Sequence, residues 1–412
     1  MSTQDTSLTA APARKRIEAL DALRGLAVIG IVPMNVIAFA MPPAAYFNPR
    51  AFGGHDLLES AIWAVSFVLI EDKFRALFAM MFGAGVAILL GKASDHPLRD
   101  HYARMMVLFA IAIVHAVLLA NNDVLRVYAV AGLLLPIVVC WRARTLLVAA
   151  GLLMLAQLAV SGWYAWDWVA YALERASGAL VDPAPQEQAE ALYGFNPQVV
   201  EEAIARNSGS LTDRIAMRLD TLPQQVTFIA ASLPSALAAM LVGMAFWKNG
   251  LLAGHWERAR LMRLARWCGL LALPPLVALS VWTLRSGFDP IFTTANALVW
   301  SAPLDLLLGV GWAALGMAIF AGGGGLTRRL AAVGRMALTN YLATSVILAA
   351  IFAGWGMGLF AQVSRGEALL IGLIPIALML IWSPLWLACF RQGPAEWVWR
   401  CLAGLRLLPL RR

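Results

Sequence analysis

The sequence predicts an all-α polytopic integral membrane protein, a bundle of about ten transmembrane helices. Composition gives the first reason: the 412 residues are 61% apolar and only 14% charged, whereas soluble domains are about half apolar and about a quarter charged. The mean hydropathy is +0.72. Apolar runs of about 20 residues recur along the chain, and each is long enough to cross a hydrocarbon core of about 30 Å.

The apolar runs divide the chain into two halves of five spans each. We expect the spans near 22–41, 62–91, 103–120, 124–141, 144–165, 224–247, 264–284, 294–320, 333–354 and 367–390. No cleavage site follows the basic N-terminal segment, so the first span is predicted to be permanent. The resulting domains are a tail 1–16, a half 17–165, a loop 166–222, a half 223–402 and a basic tail 403–412.

The charges of the connections predict the orientation. Every second connection is rich in arginine and lysine, and such connections stay in the cytoplasm, so both termini are expected there. These same residues explain the net charge of +8 without a nucleic-acid partner; the partner is the lipid bilayer, and the oligomeric state is left open. The loop 166–222 has nine acidic residues against four arginines, and it is predicted to hold amphipathic helices as a linker or a substrate lid.

Polar residues in the spans are the candidate functional residues, because a charge at mid-bilayer costs about 2.5–3.5 kcal/mol and usually faces a protein interior or a cavity. In the first span, Asp21 and Arg24 are three apart and can pair on one helix face. Asn35 follows on the same face about 16 Å further along at 1.5 Å per residue. An anchoring ion pair and a packing asparagine are the structural alternative.

The stretch VLIEDKFRALF, 68–78, contains four charged residues within five positions. Glu71 and Asp72 are spaced to pair with Arg75, while Lys73 has no obvious local partner. The apolar segment 57–90 is 34 residues long, about 51 Å as one helix. We therefore expect either a surface helix before the span or a steep tilt.

Two further clusters combine hydrogen-bonding groups with charge. His115 is predicted to be the only histidine within a span, and Asn122, Asp123 and Arg126 follow it at the outer end. A histidine beside a carboxylate is suited to proton transfer near neutral pH, although a single histidine in a span is also a common interhelical hydrogen bonder.

The ninth span begins with a second arginine-containing cluster. Arg335, Asn340 and Tyr341 enter this span from the cytoplasmic side, with Arg335 and Thr339 expected on one face. Phosphate recognition and a snorkelling anchor explain Arg335 equally well. The four cysteines lack metal-site spacing, and no metal is expected.

Together these segments resemble the YeiB family of bacterial inner-membrane proteins, whose C-terminal domain is of unknown function. The matching stretches, in family order, are LDALRGLAVIGIVPMNVIAFAMPPAAYFNP, KFRALFAMMFGAG, HAVLLANNDVLRVYAVAGLL, GRMALTNYL and GPAEWVWRCL. This resemblance implies a multi-pass protein of the bacterial inner (plasma) membrane. The family is in turn similar to the transmembrane acyltransferases, which include heparan-α-glucosaminide N-acetyltransferase, through the Asp-x-x-Arg-Gly start of the first span.

The more distant similarity implies an acyl transfer across the membrane. Asn35 matches an asparagine that serves the chemistry of the glucosaminide enzyme, and His55 is the candidate match for its loop histidine, at a longer spacing. Acyl-CoA is the implied co-substrate, with no tightly bound cofactor, and a sugar or lipid-linked molecule is the implied acceptor. His115 or His55 is then the base.

In that scheme the remaining polar residues each have a role. Asp123 orients the imidazole, while Asp21, Arg24, Lys73, Arg75, Asn122, Arg126, Arg335, Asn340 and Tyr341 form the binding path. The alternative is a transporter or exporter of a small solute or lipid-linked molecule, in which the same residues line a permeation path.

Overall fold

The computed structural model describes residues 10–91, 95–120 and 123–412, and this part of the chain is helical. Its β-type pairing is one isolated bridge between Phe390 and Arg411. The α-helices are α1 Ala10–Ala40, α2 Leu57–Leu69, α3 Lys73–Leu90, α4 Pro97–Leu118, α5 Val124–Val138, α6 Ala143–Ala176, α7 Ala184–Tyr193, α8 Pro197–Ser208, α9 Leu211–Asp220, α10 Gln225–Lys248, α11 Arg258–Arg285, α12 Pro290–Ala295, α13 Ala302–Phe320, α14 Gly325–Arg335, α15 Ala337–Phe352, α16 Arg365–Cys389 and α17 Pro394–Gly404.

Eight helical segments of the described chain are long and apolar enough to cross a membrane, or nine if the bent pair α14–α15 counts as one span. Their number differs from the ten expected for two reasons. Helix α5 has only 15 residues, because it begins after its N-cap Asp123 and ends soon after Pro136. The predicted ninth span is bent by 82° between α14 and α15.

The bend at Met336 corrects one expectation about the ninth span. Because α14 ends at Arg335 and α15 begins at Ala337, Arg335 and Thr339 do not lie four positions apart on one helix. The prediction that they share a face was wrong.

The second apolar segment, 57–90, consists of two helices with a short interruption, and together they form one candidate span of 34 residues; we call this segment the broken span. Helix α2 ends at Leu69 and α3 begins at Lys73, and Asp72 between them has a left-handed backbone with φ of +58°. Three residues therefore interrupt the helix at the place where Glu71 and Asp72 stand. Discontinuous helices of this kind tolerate polar groups within a bundle because neighbouring elements supply partners.

Two close helix crossings organise the core. Helices α3 and α10 meet at Gly83 and Gly243, where a methyl group on Gly243 would lie 1.9 Å from the Met80 carbonyl oxygen. Helices α1 and α14 meet at Gly25 and Gly334, where the corresponding methyl on Gly25 would lie 2.0 Å from the Leu330 carbonyl oxygen. Only glycine permits backbones to approach so closely.

Large apolar side chains remain exposed along several of the long helices. On α6 these include Val148, Leu152, Leu155 and Val160, and α16 exposes a similar row. Apolar surface of this extent is not stable against water in a monomer. The fold therefore indicates a membrane protein, with α6 and α16 facing lipid.

The segment 166–222 begins as a continuation of α6 and then forms α7, α8 and α9. The side-chain amide of buried Asn48 ties this region to the bundle by donating to the carbonyls of Tyr193 and Phe288, at 3.0 and 3.1 Å. At the other end, Arg218 of α9 donates to the carbonyls of Val117 and Leu119, at 3.2 and 3.1 Å. Helix α9 thus covers the end of α4 that contains His115.

Candidate functional site

The glycine crossing of α1 and α14 brings the two predicted phosphate-binding arginines together. Arg24 directly precedes Gly25 in the sequence, and Arg335 directly follows Gly334. Both arginines line a cavity of about 310 Å³, together with Arg104 of α4 and Arg400 of α17. We call this cavity the arginine pocket. Arg24 is paired with Asp21 at 2.9 Å.

Aromatic and hydrogen-bonding side chains of α17 close one wall of the arginine pocket. Trp399 donates from its indole nitrogen to the Arg104 carbonyl at 2.7 Å. Glu396 also lines the pocket, but its oxygens accept from the backbone nitrogens of Leu338 and Thr339, at 2.7 and 3.1 Å, and from the Thr339 hydroxyl at 2.5 Å. The positive N-terminus of α15 thus offsets its charge, which leaves the four arginines to define the electrostatics of the pocket.

The inner part of the arginine pocket is apolar. It is lined by Phe78, Met81, Phe82, Met105, Leu108, Leu125 and Leu338. A cationic mouth above an apolar interior fits an amphipathic anion, because arginine forks bind phosphate while the inner surface accepts an apolar chain.

His115 and Asp123 meet beyond the inner end of this pocket. His115 Nδ1 lies 2.9 Å from Asp123 Oδ2, and both side chains are buried. The second carboxylate oxygen accepts from the Leu125 backbone nitrogen at 2.8 Å and from the Tyr341 hydroxyl at 2.9 Å. These contacts join the ends of α4, α5 and α15, and the N-cap position of Asp123 fixes its carboxylate.

The imidazole of His115 is close to the carboxylate without being aligned with it. The direction of its Nδ1–H misses a well-formed hydrogen bond, and Nε2 is buried without a hydrogen-bond partner among the residues that the structure describes. Hydrogen bonds between catalytic groups are often poorly aligned before substrate binds. The arrangement leaves Nε2 as the nitrogen able to accept a proton.

A second, smaller cavity lies on the other side of this cluster. It has a volume of about 20 Å³ and is lined by Asn35, Tyr46, Arg75, Tyr341 and Ser345, among others, which is room for about one water molecule. We call it the Asn35 cavity. Leu125 lines the arginine pocket and its neighbour Val124 lines the Asn35 cavity. Asp123 and Tyr341 therefore belong to the partition between the two.

The charged stretch 71–75 lies beside the Asn35 cavity. Arg75 pairs with Asp72 at 2.9 Å and donates to the Tyr46 hydroxyl at 3.1 Å. The expected pair of Glu71 with Arg75 is not among the ion pairs of the described residues. Lys73, which lacks a local partner in the sequence, pairs with Asp305 of α13 at 2.6 Å and donates to the Phe67 carbonyl.

Other predicted residues lie apart from these two cavities. His55 is exposed in the connection before α2 and is not among the residues that line the Asn35 cavity. Arg126 is buried and donates to the Gln225 side chain at 3.2 Å. Asn340 donates to the Val333 carbonyl at 3.0 Å and accepts from the Trp382 indole at 2.9 Å. Asn122 lies outside the described residues.

Sequence reasoning missed several of these groups for identifiable reasons. Arg104 and Arg400 belong to the basic segments that the sequence assigns to the cytoplasm, and nothing in their local pattern separates them from the other basic residues of that side. Helix α4 begins at Pro97, six positions before the predicted span, so the expectation that His115 is the only histidine in a span was wrong. His101 is also in α4, where its Nε2 lies 2.8 Å from the Gly132 carbonyl.

Comparison with known proteins gives relatives along nearly the whole chain. A family model described as a protein of unknown function (DUF418) matches residues 246–406. The chain is 30% identical over 393 residues to the uncharacterized protein YeiB of Escherichia coli (strain K12), and the match covers 93% of this chain and 95% of YeiB. The chain is also 27% identical over 425 residues to the uncharacterized protein YxaH of Bacillus subtilis (strain 168), and the match covers 98% of this chain and 98% of YxaH.

No solved structure matches the chain. The similarity to YeiB therefore covers most of the chain and not only the part that the family model matches. The chain belongs to the YeiB family.

Proposed function

We propose that the protein is a membrane-embedded acyltransferase that moves an acyl group from a cytoplasmic donor to an acceptor at the outer face. One observation supports this most strongly: in the buried His115–Asp123–Tyr341 cluster, Tyr341 lines the Asn35 cavity, while Leu125, which donates to Asp123, lines the arginine pocket. A donor on one side and an acceptor on the other would then meet at a buried imidazole with a free nitrogen.

The donor in this proposal is an acyl-CoA. Its phosphates would bind at Arg24, Arg104, Arg335 and Arg400, and its acyl chain would extend along the apolar interior of the arginine pocket. Because arginine binds phosphate oxygens through two parallel hydrogen bonds, four converging arginines suit a ligand with several phosphates.

The chain supplies the groups that such a transfer needs. His115 Nε2 would take the proton of the acceptor hydroxyl or amine while the acceptor attacks the thioester carbonyl. The carbon–sulfur bond then breaks, and the proton returns from His115 to the leaving thiolate. Asp123 would stabilise the imidazolium, and Asn35 would donate to the developing oxyanion. A sugar or lipid-linked acceptor would approach from the side of the Asn35 cavity, which has to widen to admit it because its volume is only about 20 Å³.

The orientation in the bacterial inner membrane follows from the charges. The arginine pocket lies at the end of the bundle where α1 begins and α17 packs, and the positive-inside rule assigns that end to the cytoplasm. Both termini would then be cytoplasmic. Ten crossings result if the short helix α5 and the bent pair α14–α15 each traverse the bilayer.

The test uses purified protein in nanodiscs with acetyl-CoA labelled in the acetyl group. We expect R104A and R400A to weaken donor binding, and H115A and D123N to leave donor binding intact while abolishing release or transfer of label. Arg263 of α11 is exposed and is not among the residues that line the arginine pocket, so R263A is the matched control. Equal binding by R104A, R400A and R263A would contradict the proposed donor site.

The second candidate is a transporter, and the broken span favours it. A buried ion pair, Lys73 with Asp305, lies beside the break between α2 and α3, and discontinuous helices with buried charges are frequent at transport sites. Solute flux into proteoliposomes distinguishes the two. Flux that survives H115A but is lost in K73M would favour transport over acyl transfer.

A further inference from the structure

Glu71 stands at the break between α2 and α3 and has a different environment from its charged neighbours. Its side chain is 5% exposed, and its Oε1 is buried without a hydrogen-bond partner within the described parts of the chain. An ionised carboxylate in such a place loses its hydration without compensation, so the group is stable only if it is neutralised.

The two cations closest to Glu71 in sequence, Lys73 and Arg75, are already engaged with other carboxylates. Arg75 pairs with Asp72 at 2.9 Å, and Lys73 pairs with Asp305 at 2.6 Å. Ser301 donates to the other oxygen of Asp305 at 2.8 Å, which holds that carboxylate toward Lys73. Each pair is neutral by itself, and neither provides a charge for Glu71.

A third cation faces Glu71 from the start of α16. Arg365 is buried, donates to the Ala45 carbonyl, and interacts electrostatically with both Glu59 and Glu71. Glu59 accepts from the backbone nitrogens of Arg365 and Gly366, at 3.3 and 3.2 Å. Both of its carboxyl oxygens therefore have backbone donors at the N-terminus of α16.

Counting the charges that face one another across these elements leaves one negative charge in excess. The carboxylates are Glu59, Glu71, Asp72 and Asp305, and the cations are Lys73, Arg75 and Arg365. Tyr46, beside Arg75 and Glu71, is an uncharged phenol. Four carboxylates against three cations within a membrane span need one further positive charge.

We propose that Glu71 is a proton-binding site at the break of the second span and that the bound proton supplies this charge. Of the four carboxylates, Glu71 has neither an ion pair nor a donor to its buried oxygen. A metal cation is disfavoured because Ca²⁺ takes six to eight oxygen ligands, and no group of three or more potential metal-ligand side chains occurs in the described ranges. The site does not depend on acyl transfer or on the arginine pocket.

Dicyclohexylcarbodiimide tests the site directly, because it reacts in apolar surroundings with protonated carboxyl groups. The carboxyl oxygen adds to the carbodiimide carbon, the acid proton moves to its nitrogen, and rearrangement gives a stable N-acylurea that mass spectrometry locates. We expect labelling of the peptide with Glu71 in wild-type protein in nanodiscs. Its rate should fall about tenfold per pH unit where Glu71 is mainly ionised. E71D should retain labelling and E71Q should lose it.

Two charge variants make the test independent of the loss of Glu71 itself. D305N leaves three carboxylates and three cations, so Glu71 becomes the partner of Lys73 and its labelling should fall at least about tenfold at neutral pH. K73M removes a cation, so labelling of Glu71 should persist. Glu59 is the internal control, because a buried carboxylate held by two backbone donors should remain unlabelled.

Four results would overturn the proposal. The first three are absence of label on Glu71 at every pH between about 5 and 9, equal labelling of Glu59, and unchanged labelling in D305N. Protection of Glu71 by sodium ions at constant pH would also overturn it, because the site would then hold a metal ion rather than a proton. Intrinsic tryptophan fluorescence during heating shows whether each variant is folded.

Discussion

Among single residues, Tyr341 links the Asn35 cavity to the His115–Asp123 pair through one hydroxyl. Its hydroxyl donates to Asp123 at 2.9 Å, its ring centroid lies 5.5 Å from that of His115, and it lines the Asn35 cavity. The hydroxyl fixes the carboxylate that faces His115 without contacting the arginine pocket. Tyr341 therefore acts as a positioning residue in the proposed transfer.

Y341F removes this hydrogen bond while it retains the ring. We expect the rate of acyl transfer to fall about tenfold to a hundredfold, since a hydrogen bond to a charged group contributes about 1.5–3 kcal/mol. Donor binding should not change. Isothermal titration with acyl-CoA beside a transfer assay measures both quantities, and a loss of donor binding equal to the loss of rate would contradict the positioning role.

Glu396 gives a pH-dependent prediction outside the spans. Burial raises its pKa above the ordinary value of 4.5, although the donors from Thr339 and Leu338 act in the opposite direction. A carboxyl whose pKa is raised in the folded state stabilises the fold below its unfolded pKa and loses that contribution as pH rises through the folded value. Relative to E396Q, wild-type protein should therefore lose thermal stability as pH rises above the ordinary value of 4.5.

The comparison with E396A separates charge from hydrogen bonding. Alanine leaves three buried donors at the start of α15 without an acceptor, and each unsatisfied group costs about 1–3 kcal/mol. Unfolding midpoints of the three proteins across this pH range give the answer. A constant difference between wild type and E396Q would contradict the titration of Glu396.

Among the helical elements, the α1–α14 crossing determines the spacing of two pocket arginines. Arg24 and Arg335 each adjoin the glycine that permits the contact, and the Gly334 position lies against the Asp21 carbonyl. The Asp-x-x-Arg-Gly motif thus combines an ion pair with a backbone contact. Its glycine is explained by packing rather than by chemistry.

G25A and G334A should therefore weaken both the fold and donor binding. A methyl group 1.9–2.0 Å from a carbonyl oxygen forces the helices apart, and overpacking of this kind costs about 1–3 kcal/mol or more. Gly151 on α6 has nothing within 4 Å of such a methyl, so G151A is the matched control and should be neutral or stabilising. Thermal unfolding and acyl-CoA binding measure the two effects.

Helix α9 covers the end of α4 through Arg218. Burial, and secondarily the adjacent Arg214, lower the pKa of Arg218 to about 10, so the guanidinium is charged at neutral pH. Its two donors satisfy carbonyls that the end of α4 leaves without helical partners. The arrangement holds the outer segment close to His115.

R218A should loosen this cover. We expect faster amide hydrogen exchange in α9 and at the end of α4, because two carbonyls lose their donors and local opening becomes easier. R206A is the control: Arg206 forms an exposed pair with Glu202, and exposed pairs contribute little. Equal exchange in the two variants would show that Arg218 does not hold α9.

Across the whole molecule, local sequence spacing predicted some contacts and could not predict others. The Asp21–Arg24 and Asp72–Arg75 pairs lie one helical turn apart, so spacing alone suggests them, and both occur. Lys73 and Asp305 lie in different halves of the sequence, and no local pattern predicts that the fold brings them into contact. Apolar runs likewise predicted the positions of the helices, but not the 82° bend at Met336 or the shortness of α5.

Arg104 and Arg400 illustrate a different limit of sequence reasoning. Basic residues are frequent in cytoplasmic connections. A basic residue that lines a pocket on that side cannot be distinguished from them by sequence alone. Only the packing of α17 against α4 distinguishes them. His115 and Asp123 were recognisable because an intramembrane histidine and carboxylate are rare.

The shortness of α5 has a consequence for the surrounding lipid. Its 15 residues span about 22 Å, less than the hydrocarbon thickness of about 30 Å, and Leu134 and Ile137 on it are exposed. If α5 crosses the bilayer, the surrounding lipid has to thin locally, which is hydrophobic mismatch. The protein should therefore unfold at higher temperature in nanodiscs of shorter-chain lipids than of longer-chain ones, and equal midpoints would contradict this. Asp123 is the N-cap residue of α5. The chain length of the bilayer lipids would therefore also change how deep the His115–Asp123 pair lies below the membrane surface.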